Sequence, residues 1–299
     1  MSFVYSVFLP GLGREVWIEE INYKSYKDLV KSMYNKDDSS FILHSNRVIE
    51  QIAPGLLEGG LNIVDKIILL VNARSISVKP DLNVKCRCDK TGKEFEAAIE
   101  LDNIFETLSN VECSNTIQHK NTTVKYSISK ARDEVHFLEK EMENLYIYQL
   151  ASCIDIVDTS TGTINFNNLD FKARCRAVEN LPVQLTTAIL KDIVNIETAI
   201  SKYKLLLVKS PFTGLPVVDI DVSIDTAVLR GFLKLLFTDD LNNLYRLNFQ
   251  LISILHFTGD YIETISPAEM YLYWSLHLQD SQKEEPASGK SFGGTPSDI

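Results

Sequence analysis

Cys88-Asp89-Lys90-Thr91-Gly92-Lys93-Glu94-Phe95 reads as a tight Thr-Gly turn running into a β-prone stretch, and it sets the fold class. Glycine in such a turn supplies positive φ at no steric cost. The arrangement returns at Ser210-Pro211-Phe212-Thr213-Gly214-Leu215-Pro216-Val217 and at Leu255-His256-Phe257-Thr258-Gly259-Asp260-Tyr261-Ile262. The recurrence predicts small β-hairpins. It also has the outline of a zinc knuckle, whose turn carries Cys-x-x-Cys. Here Cys86 and Cys88 form only a Cys-x-Cys pair, Ser210 stands where the second turn would place a cysteine, and His256 flanks the third. Zinc needs a tetrahedron of four ligands, and Cys86, Cys88 and His256 are the weak metal candidates. The expectation is of degenerate knuckles in which hydrophobic hairpins replace a metal staple, with no metal and no cofactor.

Outward from these turns, residues 3–9 and 15–19 alternate as strands around Pro10-Gly11-Leu12-Gly13 and predict a hairpin. Helices are expected near 26–33, 42–52 and 62–72, a strand at 75–84, a hairpin at 88–101 and a short strand at 122–128. From Glu134 the periodicity turns helical, at 137–154, 171–179, 183–203, 224–237, 241–256 and 267–282. A strand pair at 204–208 and 216–222 interrupts it. The class is α+β: helix-rich, with small hairpins and a mostly helical C-terminal half. The expected division is a mixed domain over 1–134 with its hairpin at 84–101, a mainly helical domain over 135–283, and a tail over 284–299. The tail's Glu, Pro, Ser and Gly content predicts disorder.

The chain has 299 residues and a formal net charge of -10. Phosphate backbones repel such a chain, so sequence-independent nucleic-acid binding is not expected. Five cysteines, an odd number, do not read as a disulfide framework and point to a reducing compartment. Apolar runs such as Ile67 to Val71 fall far short of the roughly 20 residues a bilayer span needs. The first ten residues lack the basic region and cleavage site of a signal peptide, so Asn121-Thr122-Thr123 reads as a chance glycosylation match.

Chemistry-bearing motifs are absent: no Gly-x-Ser-x-Gly, no P-loop, no His-Glu-x-x-His. Gly11-Leu12-Gly13 lacks the third glycine of a dinucleotide fingerprint. Asp219 and Asp221 alternate with Val218, Ile220 and Val222, which reads as a solvated strand face, not a cation site. No catalytic residue is expected. The stretch 241–256 is apolar on nearly every face, so it lies at the centre of a core or under a partner. Phe249, Tyr271, Tyr273 and Trp274 are the candidate partner-binding residues, since aromatics are enriched at interfaces.

Several segments occur in a telling order. They are Leu9-Pro10, Tyr23-Lys24-Ser25-Tyr26-Lys27-Asp28-Leu29, the hairpin at 84–101 ending in Ile99-Glu100-Leu101, Tyr148-Gln149-Leu150-Ala151-Ser152-Cys153-Ile154, Leu181-Pro182, and a Thr-Gly turn ahead of Met270 to Trp274. Over roughly residues 3–280 this order resembles the baseplate hub subunit and hub assembly family of T-even-like contractile-tailed phages. The resemblance implies a structural or assembly component of the tail baseplate hub, located in the virion tail baseplate and assembled in the host cytoplasm. It would bind other hub and tail proteins and transfer no catalytic residues. Members of that family look as though they carry Cys-x-x-Cys knuckles, a pattern this chain departs from. Two other readings stay open: a zinc-ribbon-like regulatory or nucleic-acid-binding module, and an enzyme with an unrecognised site.

Overall fold

A computed structural model describes residues 4–35, 37–138, 145–238 and 241–283. The expected tail at 284–299, and residues 139–144 of the helix expected at 137–154, lie outside them.

The chain opens with an antiparallel hairpin of β1 (Val4–Leu9) and β2 (Arg14–Glu19), in register from Val4↔Glu19 to Leu9↔Arg14. Period-two alternation buries Val7, Leu9, Val16 and Ile18 on one face. Three helices follow, α1 (Tyr23–Tyr34), α2 (Asp38–Ile52) and α3 (Ile63–Ser77). Asn22, Asp37 and Asn62 cap them, each accepting from a backbone N–H in the first turn. The helix α3 carries apolar residues on every side and is buried over nearly its whole length, so it forms the axis of the larger core. Its buried Lys66 is bonded to Asn46 and Glu134, and its buried Arg74 reaches the carbonyls of Leu236 and Lys79. Gly11, the first of the glycine pair that the sequence set beside a dinucleotide fingerprint, has a packing role. The Gly11 N–H donates to Asp65 Oδ1 at 2.9 Å, and a Cβ at Gly11 would fall 1.9 Å from Asn62 Nδ2.

The strand expected at 75–84 starts later, because Ser75 to Ser77 complete α3. It is β3 (Asp81–Arg87), paired with β4 (Glu94–Glu100). Residue 101 opens α4 (Leu101–Ser109), and β5 (Ser114–His119) precedes β6 (Thr122–Ser127); neither α4 nor β5 is foreseen by the sequence patterns. After a 3-10 segment, Ala131–Phe137, come α5 (Leu145–Cys153), β7 (Ile154–Thr159) and β8 (Gly162–Asn165). The strands β5-β6-β7-β8 form one antiparallel sheet. Two of them thus lie in the half expected to be mostly helical, and the β6–β7 pairing ties together residues on either side of 134.

The remaining elements are α6 (Phe171–Glu179), α7 (Val183–Ile200), β9 (Lys204–Lys209), β10 (Pro216–Asp221), α8 (Thr226–Phe237), α9 (Leu241–Ser253), α10 (Gly259–Thr264) and α11 (Pro267–Lys283). The α+β class read from the sequence is the class of the structure.

Two cores result. The larger joins the first hairpin, α1 to α4, β3, β9 and the helices α8 to α11. The smaller packs Val124, Tyr126, Ile154 and Val157 of the four-stranded sheet against Leu185, Ile189 and Ile193 of α7, spaced one helical turn apart. Buried ions mark the seam. Arg174 forks onto both Asp133 oxygens at 2.6 Å. The Lys130 ammonium donates to the Ile154 carbonyl at 2.6 Å and lies 3.3 Å from Asp155. Pairing and carbonyl contacts of this kind offset part of the cost of burying a charge.

Candidate functional site

The first two Thr-Gly turns meet in space and share one geometry. In one, the Gly92 N–H donates to the Cys88 carbonyl at 2.7 Å and the Cys88 N–H to the Lys93 carbonyl at 2.9 Å. In the other, the Gly214 N–H donates to the Ser210 carbonyl at 2.8 Å and the Ser210 N–H to the Leu215 carbonyl at 2.9 Å. Gly92 and Gly214 have φ of 67° and 69°, the left-handed region that favours glycine. In both, the threonine hydroxyl accepts from the backbone two residues on, at 3.4 Å. Phe212 packs edge-on to Phe95 at 6.0 Å and lies under the Lys93 ammonium.

Between the turns sits the Cys88 sulfur, 3.7 Å from Thr213 Oγ1. Hydrogen bonds from Ser210 first, then Thr91 and Thr213, outweigh desolvation and lower its pKa to about 6. The four positions that face one another are therefore Cys88, Thr91, Ser210 and Thr213. One thiol and three hydroxyls do not suit zinc, which takes thiolate and imidazole donors in a structural site. Of the candidate metal residues, Cys86 points into the larger core and burial raises its pKa, while His256 lies in the α9–α10 connection with φ of 57°. Among the described residues no three His, Cys, Asp or Glu side chains gather as a metal site.

The third Thr-Gly sequence is not a hairpin. Thr258 caps α10, its hydroxyl accepting from the Tyr261 N–H, and Gly259 is the first helical residue. A fourth Thr-Gly pair, Thr161-Gly162, closes the β7–β8 hairpin instead. The acidic face on β10 is as expected: Asp219 and Asp221 point out and both pair with Lys204, at 2.7 and 2.6 Å.

A cleft of about 410 Å³ has His136, Cys175 and Glu179 in its wall. The His136 ring is stacked on Phe171 at 3.9 Å, and among the described residues no hydrogen bond joins it to a carboxylate.

The C-terminal helices show a different kind of surface. Helix α9 is amphipathic: Leu244, Leu247 and Leu251 are buried while Tyr245, Phe249 and Ile252 are exposed at i, i+4 and i+7. The Phe249 side chain is 70% exposed. Of the other aromatic candidates, Tyr271, Tyr273 and Trp274 are half-buried against the larger core, with Tyr273 edge-on to Phe257 and its hydroxyl 3.1 Å from that of Tyr261. The large apolar residues that α11 leaves exposed are Leu272, Leu276 and Leu278.

Residues 2–204 match the family described as T4 bacteriophage base plate protein. The chain belongs to that family. No curated protein and no solved structure matches it. A T4-type baseplate protein is a structural component of the phage tail baseplate, in contact with other baseplate proteins. In this baseplate protein the second Thr-Gly turn and α8 to α11 lie beyond the matched residues. They are nonetheless built into the same body, since α8 packs on α1, α2 and α3, and α11 packs on α3.

The sequence marks out Phe249 but not the exposed leucines of α11 or the outward residues of the first hairpin, Val4, Phe8 and Trp17. The signal for the hairpin was present: these three fall at the positions where strand alternation calls for polar residues.

Proposed function

We propose that this baseplate protein serves at the hub, as a subunit or as an assembly factor, and acts by binding neighbouring hub and tail proteins. The observation that supports the reading is the apolar stripe Tyr245-Phe249-Ile252 on a chain whose family is a baseplate family. Water-facing apolar side chains aligned along one helix suit a contact that removes them from water, worth about 25 cal/mol per Å² covered. Phe249 is the centre of that contact. Tyr271, Tyr273 and Trp274 support α11 from beneath and act by holding Leu272 and Leu276 toward the partner. Assembly takes place in the host cytoplasm, where the five free cysteines stay reduced.

The test is a phage carrying Phe249→Asp. Hub intermediates lacking this protein, with the variant itself folded and monomeric, are the expected result. Normal tails carrying the variant would refute the assignment of Phe249. Finding the wild-type protein only in peripheral parts of the baseplate would refute the hub reading while leaving the contact surface intact.

A further inference from the structure

We propose that the outer face of the β1–β2 hairpin is a second docking surface, and that its occupant is an extended arginine- or lysine-bearing segment of another baseplate protein. The register sets the face: Val4 lies opposite Glu19, Ser6 opposite Trp17, and Phe8 opposite Glu15, all pointing away from the core. Val4, Phe8 and Trp17 are 52%, 48% and 67% exposed. Trp17 occupies the middle. Glu15 and Glu19 flank it two residues away on the same strand, so roughly 7 Å separates each Cβ from that of the tryptophan. Ser6 Oγ donates to Glu15 Oε2 at 2.9 Å and fixes that carboxylate beside the ring. Among the described residues neither Glu15 nor Glu19 is in an ion pair.

An indole between two unpaired carboxylates selects its partner by charge. A cation over the ring is held by the π face, and tryptophan is the best ring for it. A guanidinium there can also fork onto a carboxylate. A purely apolar partner would strip water from two carboxylates without replacing it, and an acidic partner would be repelled. A second copy of this chain applying the same face would set the glutamates of one copy against those of the other. Both strands of the hairpin also have one edge with no neighbouring strand among the described residues, so an extended segment can add to the ribbon and place alternate side chains over Trp17.

The test titrates the full chain into a dye-labelled capped peptide that alternates arginine with threonine, read by fluorescence anisotropy. Wild type binds, at least about tenfold more weakly in Trp17→Ser and in the double variant Glu15→Gln/Glu19→Gln, and all binding weakens as salt shortens the screening length. The matched double variant Glu94→Gln/Glu96→Gln, which removes equal charge from the β3–β4 hairpin, binds like wild type. These side chains are solvent-facing, so an unchanged melting temperature shows that each variant is folded. Several results overturn the proposal: no binding, equal loss in both double variants, equal affinity for a peptide alternating valine with threonine, or self-association of the wild type that Trp17→Ser abolishes. None of these bears on Phe249, so the proposal fails or stands apart from the hub reading.

Discussion

Cys88 and Asp65 are ionisable groups whose surroundings push them in opposite directions. Three hydroxyls stabilise the Cys88 thiolate and lower its pKa to about 6, with Ser210 contributing most. Burial raises the pKa of Cys113 and of Cys153 to about 12 in the same chain. Titrating the ultraviolet absorbance of the thiolate should therefore show one step with a midpoint near pH 6 that is missing in Cys88→Ser; a lone midpoint near 8.5, the ordinary cysteine value, would contradict the hydroxyl cluster. Asp65 is buried at the head of α3, and burial raises its pKa to about 7 against the lowering effect of the Gly11 and Leu12 N–H groups. The fold prefers the protonated acid more than the unfolded chain does. Its contribution is complete below the unfolded pKa of about 3.8 and is lost as pH rises through about 7. Urea stability of the wild type should fall by about 1.4 kcal/mol per pH unit between roughly pH 5 and 7, relative to Asp65→Asn. Parallel curves would show that Asp65 is ionised throughout. At this scale the sequence was half legible. Cys88 and Ser210 could be singled out as ligand positions, but Thr91 and Thr213 gain meaning only when the two turns, more than a hundred residues apart, are brought face to face.

The elements show why some boundaries could be read and others not. Helix α6 runs over the expected residues because Asp170 caps its start and Asn180 ends it. The end of α3 misleads, since Ser75, Ile76, Ser77 and Val78 alternate like a strand while tertiary burial keeps the first three helical. Thr258-Gly259 and Thr213-Gly214 look alike in sequence. One starts a helix because the Thr258 hydroxyl caps it, and the other turns a hairpin because β-prone residues flank it on both sides. Helix α9 allows a clean comparison. Leu247→Ala removes a buried side chain and should cost about 2–5 kcal/mol. Phe249→Ala removes an exposed one and should change stability within about 0.5 kcal/mol. Denaturant melts of the two variants check this, and a large loss for Phe249→Ala would mean that the ring is part of the monomer's own packing.

Across the whole molecule, hairpins on glycine turns and amphipathic helices were legible because their periodicity is local. The four-stranded sheet was not, since it assembles from two hairpins separated by α5 and by a 3-10 segment whose buried Asp133 and Glu134 find their partners on α6 and α3. That seam is a specific dependency: Arg174→Met leaves the buried Asp133 without its fork and should cost about 3–5 kcal/mol in a thermal or urea melt. A variant as stable as wild type would mean that the seam is wetter than its geometry implies. The most direct test of the account as a whole is hydroxyl-radical footprinting of the protein alone and within isolated baseplate intermediates. Tyr245, Phe249 and Leu272 should label readily in the free protein and lose most of that labelling in the assembly, while Lys85 and Glu96 on the β3–β4 hairpin, exposed in the monomer, stay solvent-facing. Equal labelling of Phe249 in both states would contradict the claim that this helix face exists to be covered by a neighbour.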